Sequence, residues 1–187
     1  GNAVQQIDSE AGGAISGITI NGAYIDGLTS NDYAITCSGV SRTARSSGFV
    51  ITNCVINGPV RTVWCDDVVI TNNRISSAST NKPALFVYRK CVGVAISNNI
   101  IEGSAYTGAS AVAVLVNGSD DVNGDISSQV VFSNNVVKQV ESDCHGFYYQ
   151  SGNDVVVNGN TFIGANAVGA GYIGCVIRAA LGASWPT

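Results

Sequence analysis

The sequence predicts an all-β chain that folds as a single-stranded, right-handed parallel β-helix of about six coils, with three short strands in each coil. Three observations support this prediction. A pattern of apolar and polar residues recurs with an irregular period of about 27 residues, apolar residues alternate with others inside each repeat, and an asparagine returns at the same corner. The composition, 45% hydrophobic and only 12% charged with 22 glycines, favours strands and tight turns over helices.

The first strand of each repeat and the turn after it follow the pattern V-x-[IFV]-[TSN]-[NG]-[NCA]-x-[IV]. Six segments align on this pattern, three of them with one position substituted, namely Gly17–Gly27, Phe49–Gly58, Val68–Ser77, Val94–Gly103, Val130–Gln139 and Val155–Gly164. Alternation points one side chain inward and the next outward, so the third position of the pattern should form an interior column. The residues of that column are Ile20, Ile51, Ile70, Ile96, Phe132 and Val157. Stacking is required because one repeat cannot bury its own apolar face.

A second apolar strand lies between successive segments. The six examples are Tyr33–Cys37, Arg61–Cys65, Ala84–Arg89, Ala111–Val116, Gly146–Gln150 and Tyr172–Arg178. Each repeat is therefore predicted to run as strand, short turn, strand, corner, short strand, and then a loop of variable length.

The corner asparagines have a physical explanation. A sharp bend between two strands needs a residue in the left-handed region, which Asn and Gly tolerate best. We expect Asn73, Asn99, Asn135 and Asn160 to take that position, and their stacked amides to hydrogen-bond along the column. Ala23 and Cys54 interrupt the column in the first coils.

The chain has six cysteines and no CxxC pair, so a zinc site is not expected. Cys65 and Cys91 each precede the first valine of a repeat by the same distance and should belong to an interior column. We interpret them as small buried hydrophobes. A disulfide between adjacent coils and a reactive or metal-bound thiol are the alternatives.

Charge and hydropathy exclude two classes of function. A net charge of −4 argues against a protein that tracks nucleic-acid phosphates, which needs a basic face. No run of about 18 apolar residues is present, so no membrane insertion is expected. The chain does not begin with Met or with a signal peptide, and we expect residues 1–187 to be one β-helix domain excised from a longer chain.

The repeated Val-x-Ile-x-Asn-Asn-x-Ile strands, each with an apolar strand before it, resemble the pectate-lyase-like β-helix superfamily. The irregular loops and low charge are most similar to bacteriophage tailspikes and capsule depolymerases. This resemblance implies a homotrimer on a virion tail, or an extracellular protein, that binds a bacterial surface polysaccharide and hydrolyses or eliminates it. In this superfamily the glycan usually lies on the outer face of the coils.

An outward strip on the strand before each corner is the predicted binding face. We expect Phe86, Tyr88, Phe147 and Tyr149 to point inward. Val87, Arg89, Tyr148 and Gln150 would then point outward beside Trp64. Aromatic rings stack on sugar faces, and a guanidinium binds hydroxyls or carboxylates. There are two alternatives to this prediction. In one the inward and outward sets are exchanged, and in the other Trp64 and Tyr148 contact a neighbouring subunit of a trimer.

Carboxyl groups for glycoside hydrolysis, which needs a pair of them, occur beside this strip. Glu141 and Asp143 precede His145, the only histidine, on a loop that enters the binding face. Asp66 and Asp67 directly follow Trp64 and are the second candidate source. The alternative for Asp66 and Asp67 is a solvated turn, and the alternative for His145 is a hydrogen-bonded surface residue.

The segment Asn117–Asp125 is rich in oxygen ligands and resembles a calcium loop in composition, but it lacks the closing Glu of an EF-hand. A polar loop of turn-forming residues is the alternative, and no cofactor is otherwise expected. Elimination on uronates commonly uses Ca²⁺ with a basic residue, for which Arg89, Lys90 and Arg178 are candidates.

The sequence therefore predicts binding and hydrolysis of a bacterial polysaccharide. Two other classes remain open, a non-catalytic shaft or receptor-binding segment of a virion fibre and a secreted lyase or epimerase. An ice-binding face would need a regular Thr array, whereas the relevant column drifts from Thr52 and Thr71 to Ser97, Ser133 and Asn158.

Overall fold

A computed structural model describes residues 13–27, 33–79, 82–103, 112–117, 126–138, 145–150, 152–164 and 174–178. None of these residues is helical, and accordingly no helix that could cross a membrane is found among them. The strands are β1 (Thr19–Asn21), β2 (Tyr24–Asp26), β3 (Ile35–Ser38), β4 (Ser46–Ser47), β5 (Val50–Thr52), β6 (Val55–Asn57), β7 (Val60–Val63), β8 (Cys65–Thr71), β9 (Arg74–Ser76), β10 (Leu85–Tyr88), β11 (Val92–Ser97), β12 (Ile100–Glu102), β13 (Val112–Asn117), β14 (Ser127–Ser133), β15 (Val136–Lys138), β16 (His145–Gln150), β17 (Gly152–Asn158), β18 (Thr161–Ile163) and β19 (Cys175–Arg178).

The strands form three parallel sheets, named here in the order in which each coil visits them. The first sheet has the order β1-β5-β8-β11-β14-β17, with β4 beside β8. The second has the order β2-β6-β9-β12-β15-β18, and the third β3-β7-β10-β13-β16-β19. Each coil contributes one strand to each sheet, which confirms the predicted right-handed parallel β-helix of six coils with three strands per coil.

The interior column predicted from the repeat is present in the first sheet. The pairing places Ile20 beside Ile51, then Ile70, Ile96, Phe132 and Val157. A parallel column from the second sheet faces it and contains Ile25, Ile56, Ile75, Ile101, Val137 and Phe162. The members in the middle coils and Ile25 are buried, whereas Ile20, Val157 and Phe162 in the end coils are only partly buried. The core is therefore shared between neighbouring coils.

The asparagine column forms the expected amide ladder. The side-chain N–H groups of Asn73 and Asn99 each donate to the Oδ1 atom of the asparagine in the next coil, at a distance of 3.0 Å. Asn135 donates to Asn160 in the same way. The same side chains also donate to backbone carbonyls inside the helix, such as that of Ile70 at 2.8 Å from Asn99. The ladder thus satisfies buried backbone groups at the corner where the strands end.

The expectation that these asparagines take the left-handed conformation is wrong. The left-handed residue is the one before each of them, in the series Gly22, Asn53, Asn72, Asn98, Asn134 and Gly159. Asn72, for example, is exposed with φ 57°, whereas Asn73 is buried and points inward. Both positions favour asparagine, one because the bend needs a positive φ and the other because the amide can bond along the column.

A second bend occurs inside the long strands of the first sheet. The residues aligned there all have a positive φ and are Gly17, Gly48, Asp67, Gly93, Gln129 and Asp154. Each coil therefore turns twice at left-handed residues on this side. The Asp67 side chain lies over Gly93, where an added Cβ would be 3.0 Å from Oδ1. This position of Asp67 agrees with its interpretation as a turn residue.

The cysteines that were predicted to be interior are interior. Cys65 and Cys91 are fully buried, together with Cys37, and all three are free thiols. Cys65 donates to the carbonyl of Cys37 at 3.2 Å, and the Cys91 sulfur lies 3.7 Å from the hydroxyl of Thr62. The disulfide that was the alternative for Cys65 and Cys91 is therefore absent.

Burial raises the pKa of the Cys91 thiol to about 11 and that of Cys37 to about 12, from an ordinary value near 9.0. The folded chain thus holds these protons more tightly than the unfolded chain does. Their contribution to stability is complete below pH 9 and is lost as the pH rises through 11 and 12. We expect the free energy of unfolding to fall above pH 9 by about 1.4 kcal/mol per pH unit for each thiol.

Urea denaturation between pH 7 and 11 would measure this slope. A Cys91→Ala variant should show a shallower alkaline decline than the parent, although its stability is lower throughout because of the cavity. Part of the decline should persist, because burial also raises the pKa of the remaining thiols Cys37 and Cys65 and raises that of Tyr149 to about 12. An identical slope in the parent and the variant would show that Cys91 is not buried as a protonated thiol.

Candidate functional site

The outer face of the third sheet carries the candidate site. In β10, Leu85 and Val87 are fully buried in the core, while Phe86 and Tyr88 lie partly exposed on the outside. The prediction that Phe86 and Tyr88 point inward and Val87 outward is therefore wrong. In β16 the prediction is correct, because Phe147 and Tyr149 belong to the core.

The prediction assumed that the same motif has the same orientation in β10 and β16, and the register shows that it does not. The motif Phe-x-Tyr occurs in both strands, but the pairing sets Leu85 beside Val114 and Val114 beside Phe147, so the two motifs are one residue out of phase. The corner contains Trp64 and Cys65 in one coil, and Arg89, Lys90 and Cys91 in the next. The connection from the third sheet to the cysteine column is therefore one residue longer in the second of these coils.

Aromatic rings and cations alternate across this face. The guanidinium of Arg89 lies 4.4 Å from the centre of the Trp64 ring and 5.1 Å from that of Tyr88. Arg61 pairs in register with Phe86 and lies 4.3 Å above the ring of Tyr33. We name this surface the aromatic–cation strip, and its residues are Tyr33, Arg61, Trp64, Lys82, Phe86, Tyr88 and Arg89. Lys82 contacts the Tyr33 ring at 4.5 Å.

The backbone holds Trp64 and Arg89 in unusual conformations. Both have a positive φ, 50° and 60°, which costs a non-glycine residue free energy. Hydrogen bonds to neighbouring segments of the same chain offset this cost. The carbonyl of Trp64 accepts one from the backbone N–H of Ser46 at 3.2 Å, and the carbonyl of Arg89 accepts one from the Ser127 hydroxyl at 2.5 Å. The two side chains therefore project from equivalent positions in adjacent coils and contact each other.

Gly39 makes the close packing behind this corner possible. A Cβ at residue 39 would lie 2.5 Å from the carbonyl oxygen of Trp64 and 2.9 Å from the Cα of Arg45. Any larger residue would push the corner outward. The position of Trp64 is thus determined by contacts that are distant in sequence.

Among the described residues, six buried side-chain polar atoms have no hydrogen-bond partner, and three of them belong to the strip or to the adjacent strand β13. These three are the Nε atoms of Arg61 and Arg89 and the Oδ1 atom of Asn117. Asn117 lies beside Tyr88 in the sheet, and its carbonyl accepts a hydrogen bond from the backbone of Arg89 at 2.8 Å. Buried polar groups are usually satisfied, so these three atoms are exceptions to the general rule.

Asp66 is the carboxylate next to the strip. Its Oδ2 atom forms an ion pair with the Nη2 atom of Arg45 at 2.8 Å. Desolvation raises the pKa of Asp66, and the positive charge of Arg45 partly opposes this shift. Asp67 also raises it through its negative charge. Asp66 is therefore a partly shielded carboxyl group beside an aromatic residue, whereas Asp67 is exposed at the bend.

The other predicted binding residues lie further along the third sheet. Tyr148 faces outward in register with Phe86 and Leu115, but it is only 3% exposed, so its ring does not offer a free face. The ring of His145 stacks on Tyr148 with centroids 6.5 Å apart. Gln150 is half-buried and pairs with Asn117.

Several predicted residues lie outside the described part of the chain. Glu141 and Asp143 are among them, as is the calcium-like loop beyond Asn117, so their positions relative to Asp66 are not given by the structure. The backbone of Arg178 pairs with Gln150. Within the described ranges no group of three or more His, Cys, Asp or Glu residues could hold a metal ion.

Four residues of this site were not predicted from the sequence, namely Tyr33, Arg61, Lys82 and Arg45. Arg61 could have been found, because it precedes Thr62 and Val63 in a strand whose alternate residues, Val60 and Thr62, are buried. Tyr33, Lys82 and Arg45 are in connecting segments without a repeating pattern. Only the folded coils bring these residues together.

Comparisons with known proteins add no family to this description. No protein-family model matches the sequence, and the searches of curated proteins and of solved structures give no match either. The β-helix fold is shown by the parallel strand pairing.

Proposed function

We propose that the chain binds a bacterial surface polysaccharide along the aromatic–cation strip. The observation that carries this proposal is the pair of Trp64 and Arg89, held at adjacent coils with the ring and the guanidinium 4.4 Å apart. Aromatic faces stack on the apolar faces of sugar rings, and guanidinium groups donate to hydroxyl and acid oxygens. A sheet that repeats at each coil can hold successive sugar units in register.

We further propose that the bound polysaccharide is cleaved by hydrolysis, with Asp66 as one of the two carboxyl groups. Asp66 fits the role of the proton donor, because desolvation raises its pKa and it lies directly beyond Trp64. Glu141 or Asp143 is the proposed second carboxyl, as the sequence suggested. In this proposal Asp67 has no chemical role, since its exposed position serves the bend.

The resemblance to pectate-lyase-like β-helices and phage tailspikes supports the same function. It adds the proposals of a homotrimer and of a place on a virion tail or outside a bacterial cell. Exposed apolar residues on the outer face of the first sheet, Val131 at 37% and Val156 at 50%, are suited to contact between subunits. They also favour the second candidate, a non-catalytic shaft.

An Asp66→Asn variant should lose hydrolysis by about 10²-fold or more while its affinity for the polysaccharide stays within about threefold. The reason is that Asn keeps the shape of Asp66 and cannot donate the proton. The measurement is the release of reducing ends from a panel of bacterial capsular polysaccharides and O-antigens, with absorbance of unsaturated uronates followed in parallel.

Asp67→Asn is the matched control, since it changes the neighbouring carboxyl without touching Arg45, and it should retain activity. A rise in absorbance with the reducing ends would instead indicate elimination and direct attention to Arg89, Lys90 and Arg178. If no polysaccharide is bound or cleaved and the chain sediments as a trimer, the result favours a non-catalytic shaft over an enzyme. Equal activity in both aspartate variants would remove Asp66 from the mechanism.

A further inference from the structure

We propose that the outer face of the second sheet binds the same face of a second copy of the chain, with the two β-helices antiparallel. This surface is distinct from the aromatic–cation strip on the third sheet and from the exposed valines of the first sheet. Neither polysaccharide binding nor trimer formation is therefore required for it.

One column of side chains makes this face apolar. The first residue of each second-sheet strand points outward, and the strand pairing sets these residues side by side. In the order of the coils they are Tyr24, Val55, Arg74, Ile100, Val136 and Thr161. Tyr24 is 67% exposed, Ile100 is 47% exposed and Val55 is also exposed. Large apolar side chains in a row on one surface are typical of an interaction site.

Most polar groups of this face are bonded to one another. The third residues of the same strands form a second outward column, Asp26, Asn57, Ser76, Glu102, Lys138 and Ile163. The side-chain N–H of Asn57 donates to the Tyr24 hydroxyl at 3.0 Å, and its Oδ1 atom accepts from Ser76 at 3.1 Å. Arg74 pairs with Glu102 at 3.2 Å. A partner can therefore cover these groups without leaving them unsatisfied.

Two charges of this face have no such partner. Asp26 in the first coil and Lys138 in the fifth form no ion pair with another described residue. Both lie two coils from Arg74, which is in the third coil. A two-fold axis along the strand of Arg74 therefore places Asp26 of each copy opposite Lys138 of the other. Opposite charges at equal distances from one axis make a surface complementary to itself.

The same axis matches the apolar residues. It sets Tyr24 of one copy against Val136 of the other. Val55 likewise faces Ile100, so apolar side chains meet on both sides of the axis. A two-fold axis parallel to the β-helices would instead set Ile100 against Glu102 and bring apolar residues onto polar ones. The pattern of residues therefore favours the antiparallel arrangement.

The centre and the size of this interface determine its strength. The guanidinium of Arg74 reaches along the helix to Glu102 in the next coil, so the guanidiniums of the two copies lie on opposite sides of the axis. Strands about 4.8 Å apart and three residues long give a face of roughly 25 by 10 Å. Such an interface is at the small end for protein pairs, and we expect a dissociation constant on the order of 10 μM.

Sedimentation equilibrium from about 1 to about 300 μM protein would detect this pairing. We expect the mass to double over this range, from one chain to two or, where a trimer forms through the first sheet, from three to six. Ile100→Lys should raise the dissociation constant at least about tenfold, because it sets a charge against Val55. Val131→Lys is the matched control. It adds the same charge to the first sheet at a residue of similar exposure and should leave the pairing unchanged.

Charge reversal tests the orientation of the two copies. Asp26→Lys alone and Lys138→Asp alone each set like charges opposite one another twice, and each should weaken the pairing about tenfold or more. The double variant should restore the dissociation constant of the parent. An equimolar mixture of the two single variants should also pair as tightly as the parent, because each copy then supplies the charge that the other lacks.

Three results would overturn this inference. A mass that stays constant over the whole concentration range would show that the face binds no second copy. A mass that doubles equally in the parent and in Ile100→Lys would assign the contact to another surface. Weaker pairing in both charge variants, with no recovery in the double variant or in the mixture, would exclude the antiparallel arrangement. The concentration series of the parent protein remains decisive even if a variant fails to fold.

Discussion

An Asn99→Ala substitution should lower the free energy of unfolding by about 3–5 kcal/mol, one of the two largest effects expected for a single residue of this chain. The Asn99 side chain donates to Ile70 and Asn135 at 2.8 and 3.0 Å. Its Oδ1 atom accepts from both the backbone and the side-chain N–H of Asn73. Alanine would leave the Asn73 backbone N–H and the Ile70 carbonyl without these partners in a buried corner.

Asn98→Gly is the matched control for this experiment. Asn98 is exposed with φ 56°, a conformation that glycine adopts without strain, so the change should cost no more than about 0.5 kcal/mol. Urea denaturation followed by circular dichroism would measure both variants. Equal losses at residues 98 and 99 would mean that the amide ladder contributes no more than the bend beside it.

This pair of residues also shows what the sequence could predict about the fold. The repeated Asn-Asn identifies a corner, and alternation identifies the column from Ile20 to Val157 that the pairing reproduces residue by residue. The pattern could not distinguish the roles of the two asparagines. The first asparagine is favoured because its backbone has a positive φ, and the second because its amide bonds to partners in neighbouring coils. Both requirements favour the same amino acid.

The site was less predictable than the core for a physical reason. Inward residues must be apolar in every coil, so they repeat, whereas outward residues are free to vary and carry no periodic signal. The motif Phe-x-Tyr occurs in β10 and in β16, but its rings lie in the core only in β16, so the motif alone does not determine which face of a strand is inward. The ion pair of Arg45 with Asp66 joins a connecting segment to a strand, and such a contact has no signature in either segment alone.

A Phe132→Ala substitution should destabilise the chain by about 3–5 kcal/mol through loss of buried area and formation of a cavity. Phe132 is fully buried in the interior column of the first sheet. Its ring stacks on that of Phe147 from the third sheet with centroids 4.4 Å apart, and on Phe162 from the second sheet at 6.4 Å. One ring thus connects all three sheets, and the removal of its contacts loosens each of them.

The neighbouring residue provides the comparison that makes this prediction specific. Val131 is in the same strand but points outward and is 37% exposed, so Val131→Ala should cost less than about 1 kcal/mol. Phe132→Leu should lie between the two, because it retains most of the apolar volume and loses only the ring contacts. Thermal and urea unfolding of the three variants would establish the order. A Phe132→Ala loss no larger than that of Val131→Ala would show that the coils near Phe147 and Phe162 are not packed around this ring, and the stacked core would then have to be rejected for this end of the helix.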